Sequence, residues 1–147
     1  MYDRFQNFTV LTLNIHRCIQ KIKTEEMAEF NLKAPHVSCL YYLYKNGSMT
    51  ATELCEISHE DKSYISHSLK SLEADGYIFC DSSAKKRYNA SLSLTEKGRE
   101  LSYRMVDKID RVLESAGLGV AESDREIFYS TLLKISNNLE AICEKYN

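Results

Sequence analysis

A mainly α fold with a small β-hairpin wing, a winged helix-turn-helix with long terminal helices, is predicted by three features of the 147-residue sequence. A short capped helix is followed, after a sharp corner near Asp61, by a helix with a single apolar stripe. Two short strands come next, joined by a tip that carries Lys85, Lys86 and Arg87. Both ends of the chain carry apolar residues that step by threes and fours. One proline and five glycines agree with a helical chain, and its length allows one domain over residues 1–147. Within it we expect terminal dimerisation helices at 3–24 and 123–146, the winged helix-turn-helix at 35–94 and a long connecting helix at 95–116.

The first seam is Phe5, Phe8, Thr12, Ile15, Ile19 and Ile22. Pro35 suits the first residue of the second helix, where a missing N–H costs nothing. Thr50 and Glu53 have capping-box spacing, so a helix starts there, turning Leu54 and Ile57 inward and stopping near Ser58-His59. In the next helix Ile65, Leu69, Leu72 and Gly76 follow at spacings of four, three and four, an apolar stripe with a glycine stop. Tyr77 to Cys80 is aromatic and branched, and Tyr88 to Leu94 alternates Tyr88, Ala90, Leu92 and Leu94 with Asn89, Ser91 and Ser93. Asp81 to Ala84 supplies small turn residues between these strands. Leu101, Met105, Ile109, Val112 and Ala116 predict the long helix. After the Gly117-Leu118-Gly119 break, Ser123 and Glu126 form a second capping box ahead of the seam Phe128, Leu132, Ile135, Leu139, Ile142 and Tyr146.

Opposite the stripe, the middle helix presents Lys62, Ser63, Tyr64, Ser66, His67, Lys70 and Ser71, with no acid before Glu73. Lysine and serine donate to phosphate oxygens, and longer polar side chains reach base edges in the major groove, so this face suits double-stranded DNA. The cationic tip is placed to reach a groove or the adjoining phosphates. A solvated amphipathic helix and a solvated charge run are the plainer readings of the same residues. The net charge is −2, yet residues 62–99 carry seven bases against four acids, leaving the acidic excess on the remainder. A basic reading head on an acidic body follows.

The residues resemble the MarR (multiple antibiotic resistance regulator) family of bacterial transcription factors over nearly the whole chain. The resemblance is carried by Asp61-Lys62-Ser63, by Leu72-Glu73-Ala74-Asp75-Gly76-Tyr77-Ile78 and by Leu94-Thr95-Glu96-Lys97-Gly98-Arg99. It implies a dimeric, largely helical regulator that represses or sometimes activates nearby genes and leaves DNA on a small-ligand, oxidative or metal signal. His67 stands where many relatives have arginine, which implies a different target sequence, because imidazole lacks the guanidinium fork. Lys85 stands where many relatives brace the wing arginine with an acid. The resemblance also implies an effector cavity between the first helix, the second helix and the helix from Thr95. His16, His36 and Tyr41 are candidate lining residues there for a small aromatic or amphipathic ligand, while most aromatics near Cys39 (Tyr41, Tyr42, Tyr44) are expected in the core.

Two reading heads on one duplex need a joint, so the terminal seams predict a homodimer reading an inverted repeat. Phe5, Phe8, Ile15, Phe128, Leu132, Ile135, Leu139 and Ile142 are the expected interface; packing of the seams onto their own core is the alternative. Cys18, Cys39, Cys55, Cys80 and Cys143 lack a pairing rhythm and no signal peptide precedes them, which predicts a reducing, cytoplasmic setting without a membrane partner. Buried thiols are the default, and a redox-sensing regulator using Cys18 is the sharper reading. The four histidines lack metal-ligand spacing, and no phosphate loop or nucleophile elbow occurs. No metal, cofactor or enzymatic activity is expected. A winged-helix module that binds proteins without DNA is the competing function.

Overall fold

The computed structural model describes residues 3–81 and 89–146. The tip residues Lys85, Lys86 and Arg87, with Tyr88, lie outside the described residues. The chain divides into two compact units, Met1–Lys108 and Ile109–Asn147.

In the first unit a π-helical stretch, Phe5–Val10, runs into α1 (Leu11–Met27). After α2 (Ala34–Asn46) come β1 (Ser48–Met49), α3 (Ala51–Ser58) and α4 (Lys62–Ala74). The wing strands are β2 (Ile78–Cys80) and β3 (Leu92–Leu94), and α5 (Glu96–Ala116) starts here. The sheet order is β1-β3-β2, antiparallel throughout, with Ser48 opposite Ser93 and Phe79 opposite Ser93 on the other side. The third strand, β1, was not expected. Two residues are too short to show alternation, and it is the partner β3 that defines them as a strand.

The core is built by Leu40 and Leu43 of α2, Leu54 of α3, Ile65 and Leu72 of α4, and Met105 of α5, all 0–1 % exposed. Each such side chain contributes about 1.5–3 kcal/mol by leaving water. Ala90, Leu92 and Leu94 are buried while Ser91 and Ser93 are half-buried and Asn89 is exposed, the expected alternation. Several expectations need correction. Ile57 is 42 % exposed, and the buried residue of α3 is Leu54. Tyr41, Tyr42 and Tyr44 are half-buried; the core face of α2 is Val37, Cys39, Leu40 and Leu43. In α5 the buried face is Gly98, Ser102, Met105 and Val106, with Leu101 only half-buried. Pro35 is the second residue of α2 rather than the first.

Two glycines decide local geometry. Gly76, at φ +77, ends α4: its N–H donates to the Glu73 carbonyl at 3.0 Å, and the Tyr77 N–H reaches the Leu72 carbonyl at 2.9 Å. This pair of bonds is a Schellman stop, which needs a left-handed residue. Gly98 lies so close to Tyr77 that a β-carbon would sit 1.8 Å from that residue's carbonyl oxygen. Around this contact Thr95 Oγ1 donates to the Gly76 carbonyl at 2.6 Å and accepts from the Gly98 N–H at 3.0 Å. Lys97 Nζ adds a bond to the Asp75 carbonyl at 2.8 Å and lies over the Tyr77 ring. The end of α4, the start of β2 and the start of α5 are thus bound to one another.

α1 and α5 also meet within this unit. Lys108 Nζ pairs with the carboxylates of Glu26, at 3.0 Å, and Glu29. Arg104 and Lys108 both lie over the Phe30 ring.

The second unit holds the last turns of α5 and α6 (Glu122–Cys143). The expected cap at Ser123 is not formed. Its place is taken by Ala121 in extended conformation, without a side-chain bond, and Ser123 lies inside the first turn. Glu122 and Asp124 replace the cap electrostatically, as acids at the positive end of the helix dipole. No residue of α6 is buried; Phe128 is 52 %, Leu132 42 %, Leu139 45 % and Ile142 46 % exposed, with Ile135 half-buried.

Candidate nucleic-acid interface

The corner that launches α4 is built from short polar side chains. Thr50 accepts from the Glu53 N–H at 3.2 Å, and the Glu53 carboxylate accepts from the Thr50 N–H at 2.7 Å, the capping box read from the sequence. The Thr50 N–H, and after it the Thr50 hydroxyl, which donates to the same carboxylate at 3.0 Å, hold the Glu53 carboxyl below the usual carboxylate range. α3 ends at His59, whose φ of +53 turns the chain through the left-handed region. Asp61 then caps α4, accepting from the Ser63 N–H at 2.8 Å and from the Ser63 hydroxyl. Those two bonds, hydroxyl first, keep the Asp61 carboxyl below its ordinary value.

From that cap, α4 turns Ile65, Ser68, Leu69 and Leu72 into the core. Lys62, Ser63, Tyr64, Ser66, His67 and Lys70 are all exposed, Tyr64 at 64 %, and Ser71 is half-buried. The six described residues expected to face DNA therefore share one solvent face. Ser63 plays a narrower part than expected: its hydroxyl proton is already given to Asp61, so toward an anion it has no hydrogen left to donate. Ser68 was not singled out in the sequence and is buried, one helical step from the apolar stripe.

The expected effector residues differ in exposure. His16 is exposed, while His36 and Tyr41 are half-buried. His36 Nδ1 accepts from the Lys33 N–H at 3.2 Å, so the ring is occupied at the start of its own helix. Burial, followed by the Lys33 charge, lowers the His36 pKa against the opposing pull of Asp75. An open surface cavity of about 490 Å³ lies between the end of α2, β1 and α3, lined by Asn46, Ser48, Met49, Glu53, Glu56 and Ile57.

The cysteines split by environment. Cys18 and Cys143 are exposed, and Cys39 is fully buried. Burial, reinforced by Glu60 and Cys55, pushes the Cys39 thiol up to about 12. Such a group is not a thiolate at physiological pH. Among the described residues no group of His, Cys, Asp and Glu is arranged to hold a metal ion, and none of their helices is long and apolar enough to cross a membrane.

A family model described as a winged helix DNA-binding domain matches residues 36–113, from His36, the third residue of α2, through the wing into α5. No curated protein matches the sequence significantly. Among solved structures, the fold is similar to a MarR family regulator from Neisseria meningitidis, with TM-score 0.82 and 20% identity over 100% of both chains. Staphylococcus aureus MarR in complex with salicylate and kanamycin gives TM-score 0.80 at 19% identity, over 92% of each chain. MepR of S. aureus, in a complex with DNA, gives TM-score 0.79 at 18% identity over 94% of this chain and 99% of that one. With a reading helix, a wing and a family model over more than half its length, this chain belongs to the winged helix DNA-binding domain family and has the fold of the MarR regulators.

Proposed function

We propose that the chain is a sequence-specific, DNA-binding transcriptional regulator that works as a homodimer and releases its site on binding a small ligand. One observation carries the reading: α4 buries one stripe and exposes Lys62, Tyr64, Ser66, His67 and Lys70 together, with no acid in the helix before Glu73. Lys62 and Lys70 neutralise phosphates, and Tyr64 and His67 stand where base edges are read. Asp61 sits at the head of this face with its carboxylate occupied by Ser63, which limits its repulsion of the backbone. Lys85, Lys86 and Arg87 supply the cationic wing on the evidence of sequence alone.

The homodimer is supported by the exposed seams. Phe5 is 70 %, Phe8 40 % and Ile15 50 % exposed in the first unit, and α6 buries none of its residues. Apolar faces of that extent mark interaction surfaces. A two-fold protein spaces its heads about 34–36 Å apart, one helical turn of duplex, so an inverted repeat is its expected target. Control by a small aromatic ligand is supported by the salicylate complex of the similar S. aureus protein.

The test is binding selection from random DNA followed by anisotropy titration at several salt concentrations. An inverted repeat and a steep salt slope are expected. A slope near zero would replace this function with a protein-binding role. Alanine at Lys86 or Arg87 should weaken all duplexes alike, whereas changes at Tyr64 or His67 should alter sequence preference.

A further inference from the structure

Lys23, Ser38 and Glu60 are separated by 15 and 22 residues in sequence, yet they form one line across the first unit. Ser38 Oγ, on α2, donates to Glu60 Oε1 at 3.0 Å. Lys23 Nζ, on α1, donates to that same Ser38 oxygen at 3.5 Å. Glu60 occupies the corner between α3 and α4 and is held from its backbone side as well: its N–H donates to Ser58 Oγ at 3.3 Å, and Ser58 gives its own proton to the Leu54 carbonyl at 2.6 Å. The next residue is Asp61, the cap of α4.

We propose that Lys23, Ser38 and Glu60 are positioning residues for DNA reading, a strut that ties the launch point of α4 to α1 and α2. This rests on the DNA-reading assignment above. None of the three is on the exposed face of α4, so their influence on DNA passes through the angle at which that helix leaves the corner.

His67 lies on α4 six residues past its cap Asp61, about 9 Å at 1.5 Å per residue, so a tilt of about 10° at the corner moves it by about 1.5 Å. A shift of that size stretches a hydrogen bond beyond its working range and separates a correct base contact from none. Phosphate contacts, made by flexible lysines, tolerate the same tilt. Half-burial supports the arrangement: desolvation lowers the Lys23 pKa, and the Glu60 carboxylate opposes that fall. The strut also ends on α1, which carries the exposed apolar seam, so a shift of the terminal helix reaches the reading helix through Ser38.

The experiment compares wild type, S38A, E60A, E60Q and the S38A/E60A double variant. Each is titrated by anisotropy with the duplex selected by wild type and with random duplex of equal length. S38A and E60A should each lower the ratio of specific to random affinity by roughly tenfold, with random-duplex affinity unchanged. E60Q, whose amide oxygen still accepts from Ser38, should keep the ratio within about twofold of wild type. The double variant should be no worse than either single one, as expected for one shared contact. A wild-type ratio in S38A, or additive losses in the double variant, would overturn the strut while leaving DNA reading intact. A wild type that prefers no duplex would overturn both.

Discussion

Gly98→Ala offers the sharpest trial of the packing argument, because two physical effects oppose each other there. On helix propensity alone, replacing a glycine inside α5 should stabilise the protein by up to about 1 kcal/mol. The new β-carbon, however, would stand 1.8 Å from the Tyr77 carbonyl oxygen and 2.8 Å from its carbonyl carbon. Ordinary contact is about 3.5 Å, so backbone must retreat by more than about 1.5 Å. That carbonyl accepts from the Thr95 N–H at 3.0 Å, a bond that does not survive such a move. The neighbouring Thr95–Gly76 and Lys97–Asp75 bonds share the same strained backbone. Overpacking of about 1–3 kcal/mol and two weakened hydrogen bonds of about 1 kcal/mol each exceed the propensity gain. The net expectation is a loss of about 3 kcal/mol, or about 6–12 °C in melting temperature for a chain of this size. Thermal and urea melts followed by circular dichroism measure it. A Gly98→Ala protein that melts at or above the wild-type temperature would show that α5 and Tyr77 do not meet as described.

Other outcomes follow from single contacts. Ser102 Oγ is buried and has no hydrogen-bond partner among the described residues, so Ser102→Ala should raise stability by about 1 kcal/mol, readable as a higher urea midpoint. Thr50→Ala removes the α3 cap and should destabilise by about 1 kcal/mol in the same assay. Because the Glu53 pKa is lowered in the folded state, its contribution is present at neutral pH and lost as pH falls through the acidic range. Urea midpoints between about pH 6 and about pH 3 should therefore fall less steeply in Thr50→Ala than in wild type; parallel curves would contradict this. Alkylation followed by mass spectrometry should label Cys18 and Cys143 first, with Cys39 protected until urea unfolds the chain. Early labelling of Cys39 would contradict its burial.

Features specified by neighbouring residues were legible in the sequence. The Thr50–Glu53 box, the stripe from Ile65 to Leu72, the stop at Gly76 and the alternation from Ala90 to Leu94 each depend on a few consecutive residues and one backbone rule. The face of α4 followed directly from that stripe, since burying one side decides the other. What escaped depends on partners distant in sequence. β1 exists only beside β3, and the phase of the α5 face is set where Gly98 meets Tyr77. The occupation of His36 by Lys33 and of Ser63 by Asp61 is local, but it turns on side-chain rotamers, which periodicity does not report. The Lys23–Ser38–Glu60 line joins three segments and leaves no trace in spacing.

The sheet order has a consequence for exchanging parts between relatives. β3 lies between β2 and β1, and β1 ends one residue before Thr50, which caps α3. Swapping the hairpin for that of another regulator would thus disturb the floor under the first helix of the reading head as well as its outer finger. A graft that keeps Leu92, Ser93 and Leu94 and exchanges only the tip preserves that footing; one that replaces the whole hairpin does not.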